Sequence, residues 1–232
     1  MKSLAPIVFD YSACRAQLEE FRKLLASKPE LSENADILPF FRERRQMCTL
    51  FGMFNPRIVW ADRFASEFDI FGDFACDIAV GEWTRGAYCF VEFEDAKKGS
   101  VFEKKGRATP EWGRRFDHGY SQVIDWMHKL AGRETSADNL ARFGAYQINC
   151  EGILVIGRDA FQEPAEMERL AWRSDRVSVN QKKVICLTFD QLLSQFDTRM
   201  NGLAVVYELG FEKALASLAS HPAPHPVSAA IE

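Results

Sequence analysis

The chain has 232 residues, 47% of them apolar, with 19 Phe and 5 Trp, which is enough to build one large packed core and excludes a low-complexity or disordered chain. Its 29 Lys and Arg against 33 Asp and Glu leave a net charge of −4. The overall field therefore does not suit a protein that coats nucleic acid, and an anionic partner would have to meet a local basic face.

The N-terminal stretch lacks the apolar centre of a signal peptide, and no apolar run approaches the length of a bilayer span. Cys14, Cys48, Cys76, Cys89, Cys150 and Cys186 form no C-x-x-C pair, and four of them sit within apolar runs. They read as buried thiols of a reducing compartment, so the expected location is cytoplasmic, without a membrane partner.

The first predicted element is a helix over 12–26, capped by Ser12, with Leu18, Phe21, Leu24 and Leu25 at helical spacing. Residues 29–56 read as a second helix and a loop covering one side of a sheet, so 1–56 form an N-terminal helical segment packed on a core over 57–200. Short strands are predicted over 57–61 and 67–71, the latter ending at Gly72-Asp73. Two longer runs follow, 75–80 and 87–94, rich in β-branched and aromatic residues with Gly81 and Gly86 between them. That pattern predicts a hairpin and a sheet of about four strands.

The hairpin concentrates acid. Glu92 and Glu94 share one face of their strand, and Asp77 on the partner strand can lie beside them in a suitable register. Three converging carboxylates repel one another unless a divalent cation lies between them, and all-oxygen sites suit magnesium or manganese. The plainer reading of Glu92 and Glu94 is the solvated face of an amphipathic strand.

Between 97 and 115 the chain carries Lys97, Lys98, Lys104, Lys105, Arg107, Arg114 and Arg115 against Glu103 and Glu111. This is either a solvated connection or a phosphate-binding loop placed next to the acidic strand. Thr109-Pro110-Glu111 reads as a helix start, and a helix over 115–131 carries Phe116, Tyr120, Val123, Trp126, Met127 and Leu130 on one stripe, with Gln122 at its edge. His118 and His128 lie too far apart along it to share a metal, and read as structural or solvent-facing. Trp112 beside Arg114 and Arg115 reads as a packing anchor in preference to a base-stacking platform.

The second half alternates: a strand over 151–156, a helix over 164–174, a strand over 183–187, a helix over 190–199 and a further helix over 201–218. The Pro-rich 219–232 reads as a disordered tail. There is no G-x-x-x-x-G-K-[ST] loop and no G-x-S-x-G elbow, which argues against an NTPase or a serine hydrolase.

Asp77, then Val91-Glu92-Phe93-Glu94, then a helix bearing Gln122 resembles the PD-(D/E)xK nuclease pattern. More narrowly, the ordered stretches D-I-A-V, F-V-E-F-E-D-A, R-A-T-P-E-W, F-D-H-G-Y-S-Q-V-I-D-W, I-L-V-I-G-R-D and L-T-F-D-Q-L-L resemble the C-terminal nuclease domain of the Shedu anti-phage defence proteins, over roughly 64–196. The resemblance implies an α/β fold with a mixed central sheet flanked by helices, restriction-endonuclease-like, together with Mg2+ or Mn2+, DNA cleavage and often a homo-oligomer. Many nucleases of this kind also have a sensor or regulatory partner.

By that resemblance Asp77 matches the metal-binding Asp, Glu92 the acid of the E-x-K element, Gln122 the helix Gln, and Glu67 an upstream acid. Glu94 occupies the position of the catalytic lysine. Three accounts of it follow: Lys97, Lys98 or Lys104 reaches the vacated space; Glu94 becomes a further ligand beside a second cation; or cleavage is lost and a nucleic-acid- or protein-binding module remains. The expected site is therefore Asp77, Glu92 and Glu94 for metal, these with Gln122 and Lys97 for catalysis, and Lys98, Lys104, Lys105, Arg107, Arg114 and Arg115 for substrate.

Overall fold

Extended runs that are apolar on both faces need cover on both sides, and the structure supplies it. The computed structural model describes residues 3–106 and 109–220; Arg107 and the tail beyond 220 lie outside the described residues. A seven-stranded sheet runs in the order β1 (Ala5–Pro6), β2 (Arg63–Ile70), β3 (Phe74–Glu82), β4 (Ala87–Phe93), β7 (Asn149–Val155), β9 (Lys182–Leu187), β8 (Ser178–Val179). Strands β1 to β4 pair antiparallel, β4, β7 and β9 pair parallel, and β8 returns antiparallel. A separate ribbon pairs β5 (Phe102–Glu103) with β6 (Glu111–Trp112). This is the expected α/β class with a mixed sheet, in which the strands of the second half extend the four-stranded part, as the β-α-β-α alternation implies.

Helices α1 (Tyr11–Ser27), α2 (Leu38–Glu43), α3 (Arg45–Cys48) and α7 (Phe189–Ser220) cover one face, meeting Ile78, Val80, Cys89, Val91, Phe93 and Val155. Helices α4 (Arg114–Ala131), α5 (Ala137–Phe143) and α6 (Pro164–Arg176) cover the other, over Ala79, Tyr88, Phe90, Cys150 and Leu154. The parallel steps from β4 to β7 and from β7 to β9 each cross over through helices of this second layer, as parallel pairing requires. All six cysteines are free and buried, and burial pushes their thiols up, away from reactivity.

Several expected elements differ. Residues 57–61 form no strand: the amides of Val59 and Trp60 donate to the Glu82 carboxylate instead of to a neighbouring strand, and both side chains are exposed. Asp10, not Ser12, caps α1 by accepting from the Ala13 amide at 2.9 Å. Thr109-Pro110-Glu111 leads into β6 rather than a helix, and Gly113 caps α4. The two helices expected over 190–218 are one, α7.

The G-R-D and T-F-D-Q-L-L stretches form a clamp. Arg158 donates through Nε to Asp190 Oδ2 at 2.9 Å and through Nη2 to Asp190 Oδ1 at 3.0 Å. It also donates to the carbonyls of Leu25 and Lys28, each at 3.1 Å. Thr188 Oγ1 accepts from the Gln191 amide while Gln191 Oε1 accepts from the Thr188 amide, a reciprocal cap on α7. One guanidinium thus ties the loop after β7 to the end of α1 and the start of α7. Arg158→Ala removes charge-assisted bonds and strands their acceptors, so it is expected to cost about 2–4 kcal/mol, measured by urea denaturation.

Candidate functional site

The acidic site grows from a break in two strands. In β2 and β3, Phe64, Ile78 and Val80 face the α1–α7 layer, whereas Phe68, Ile70 and Cys76 face the α4 layer. Even-numbered side chains therefore change faces between Ser66 and Phe68 and between Cys76 and Ile78, although the pairing register does not slip: Ser66 opposes Ile78 and Phe68 opposes Cys76. The reversal passes through Glu67, held at φ +50, an uncommon left-handed conformation for such a residue. Asp77 lies opposite it at the break.

Here β3 also leaves β4. Their pairing ends at Ile78 opposite Val91, while β4 continues beside β7 as far as Phe93 opposite Val155. Asp77 fills the fork with a side chain: its Oδ2 accepts from the Phe93 amide at 2.8 Å. Glu92, buried, adjoins Asp77, close enough for the two carboxyls to share a hydrogen bond when one of them is protonated. Both acids lie well above the usual carboxylate range, chiefly because burial disfavours their charge; Asp77, Glu94 and Glu33 add repulsion at Glu92, and Glu33 and Glu94 add it at Asp77. Burial and mutual repulsion therefore both favour the protonated form of the pair when no cation is bound.

Glu94 also faces α4, but with different partners. Its side chain is 1% exposed, and its Oε2 accepts from Arg115 Nη1 at 3.1 Å. Its Oε1 lies 2.8 Å from Nδ1 of His118, whose side chain is 62% exposed. Burial raises the Glu94 pKa, and His118 and Arg115 offset the effect. Arg115 in turn reaches Glu33 Oε2 at 3.0 Å and lies 3.5 Å from Asp95. Glu33 is delivered by a π-turn, Glu33–Ile37, pinned where its amide donates to Asp95 Oδ1 at 2.8 Å. Glu33 and His118 were not singled out for the site from the sequence.

The helix comes this close because residue 119 is glycine. A Cβ there would stand 2.6 Å from Leu154 Cδ1 and 2.9 Å from Glu94 Cγ. Gly119→Ala is expected to cost about 1–3 kcal/mol, because it pushes His118 and Arg115 off Glu94. Thermal melting of the variant beside the native protein checks this.

Two carboxyls, rather than three around one point, make up the acidic centre: among the described residues no group of three His, Cys, Asp or Glu side chains converges as a metal cage. The all-oxygen Asp77–Glu92 pair still fits Mg2+ or Mn2+, which commonly use one or two carboxylates with waters and substrate phosphates. Gln122 lies one turn beyond His118 on α4, and among the described residues its buried Oε1 has no hydrogen-bond partner.

The other expected residues are scattered. Lys97 Nζ is 3.1 Å from Asp95, not at Glu94. Lys98, Lys104 and Lys105 line an open groove with Phe102, Phe161 and three glutamates, Glu103, Glu163 and Glu166, and Lys105 pairs with Glu103 at 3.0 Å. Arg114 is exposed and its amide donates to Glu103. Trp112 stacks between Phe102 and Phe116 at 4.5 and 4.3 Å, under the guanidinium of Arg173, so it is a packing anchor. Glu67 pairs with Arg42.

A search of curated proteins found no match. The family model described as Shedu protein SduA, C-terminal, matches residues 16–193. This stretch includes the forked strands, Glu33, the acidic pair, α4 and the Arg158 clamp, and it spans well over half of the chain, which belongs to the Shedu family of anti-phage defence proteins.

Proposed function

We propose that the chain is a divalent-cation-dependent DNA endonuclease with a restriction-endonuclease-like core, acting in defence against phage. The observation that carries this reading is the Asp77–Glu92 pair at the strand fork: two carboxyls pressed together at a cost that a cation would relieve. Mg2+ or Mn2+ held by Asp77 and Glu92 would polarise a phosphoryl oxygen and acidify water. Around it the chain's own residues orient: the Phe93 amide fixes Asp77, and the Gln122 side chain offers an uncommitted oxygen. Lys98, Lys104, Arg107 and Arg114 are the cations proposed to follow the phosphate backbone. Assembly with further copies of the chain and control by a sensor partner belong to the same reading.

A second reading is a non-cleaving module that binds nucleic acid or a protein. It is favoured by Glu94, which carries negative charge at the lysine position and has both oxygens engaged. Incubation of supercoiled and linear DNA with the native protein and with Glu92→Gln, in Mg2+ or Mn2+, separates the two. Metal-dependent cutting that disappears in Glu92→Gln supports the endonuclease. DNA binding without cutting by the native protein supports the module.

A further inference from the structure

The imidazole of His118 on α4 and the buried Glu94 form an arrangement that the acidic pair does not use. Glu94 stands two residues beyond Glu92 on the same face, about 7 Å along the strand, so His118 is held at the rim of the same site. A carboxylate can only accept a hydrogen bond. With Glu94 Oε1 2.8 Å away, Nδ1 of neutral His118 carries the hydrogen and Nε2 is left with its lone pair. Among the described residues Nε2 has no partner, and the imidazole is largely solvent-facing. Arg115, the other partner of Glu94, is surrounded by Glu33, Glu94 and Asp95 and cannot accept a proton.

We infer that Glu94 and His118 form a carboxylate–imidazole dyad in which His118 Nε2 is the general base for the attacking water, in the role that lysine would otherwise take. This rests on the hydrolase reading above. In the step, Nε2 takes a proton from water as the water oxygen's electron pair forms the new O–P bond. The sugar oxygen leaves with the electron pair of the broken P–O bond and takes a proton from solvent, and the imidazolium returns its proton to solvent. Glu94 is a positioning residue: it fixes the tautomer and ring direction and stabilises the imidazolium. Glutamate at the lysine position is then a coherent substitution, because its task is to hold a base rather than to be one.

Two measurements test this. Nitrogen-15 NMR of histidine-labelled protein, without metal or DNA, is expected to show His118 protonated at Nδ1 when neutral. The opposite tautomer would overturn the dyad. In metal-dependent DNA cleavage, His118→Ala is expected to lose about 10²–10⁴-fold in rate, with DNA affinity within about twofold of native by fluorescence anisotropy, and added imidazole is expected to restore part of the rate. If His118→Ala cuts within about threefold of native while Glu92→Gln cuts nothing, or if its loss is not relieved by imidazole, the dyad is wrong and the hydrolase reading stands. If native protein cuts nothing, both fall.

Discussion

Glu94→Lys is expected to destabilise the protein by about 3–5 kcal/mol, the cost of breaking a buried ion pair and leaving charge unpaired. The native carboxylate is buried and meets Arg115 at 3.1 Å and His118 at 2.8 Å. A lysine there loses both partners and puts an ammonium beside a guanidinium. For a chain of this size the change corresponds to a fall in Tm of about 10 °C. Glu94→Gln keeps the shape and an acceptor oxygen, and is expected to cost less than half as much. Urea denaturation of the two variants beside the native protein checks both expectations. A Glu94→Lys variant as stable as native would mean that Arg115 and His118 do not hold Glu94 in solution. The position is therefore not a vacancy into which the lysine of the E-x-K pattern can be returned.

The hairpin was the most legible part of the sequence because each of its signals is local. Alternating β-branched and aromatic residues with glycines at the turn placed β3 and β4 close to their true ends, and strand parity put Glu92 and Glu94 together on the α4 face. Parity could not give the fork. Asp77 joins Glu92 because β2 and β3 turn over at Glu67, a reversal that a period-2 pattern cannot contain. Residues 57–61 misled for a related reason: β-branched and aromatic content marks a strand only if a ladder partner exists, and here Glu82 takes the amides. His118 was compared with His128 along the helix, but its partner lies 24 residues away in another element. One local signal did point there, since a glycine inside an otherwise regular amphipathic helix marks close approach to another chain segment, and Gly119 is where α4 meets Glu94. Glu33 had no comparable signal, because its position depends on the π-turn and the Asp95 contact.

The Asp77–Glu92 pair makes the metal-free protein less stable as pH rises. Both acids have pKa values raised above the unfolded carboxylate range of about 4. Their contribution to stability is thus fully present below that range and is lost as pH climbs through the raised native values, where the folded state keeps protons that the unfolded state has released. Each retained proton tilts stability by about 1.4 kcal/mol per pH unit. Glu92→Gln removes one of the two charges without changing the shape. Relative to native, it is expected to gain about 1–3 kcal/mol at pH 8 in chelator, with the gain shrinking towards pH 5. Mg2+ or Mn2+ should then raise the Tm of the native protein more at pH 8 than at pH 6, because the ion binds the deprotonated pair and not the unfolded chain, and should do little for Glu92→Gln. Thermal melts across pH, with and without cation, report all of this without reference to cleavage. A variant that is no more stable than native at pH 8 would show that the carboxyls are not pressed together as the fork implies. A native Tm indifferent to both cations would leave the pair a structural acid bond and favour the non-cleaving module. If both expectations hold, the residue that destabilises the resting protein is the one its proposed chemistry cannot do without, since a fold selected for stability alone would carry Gln at position 92.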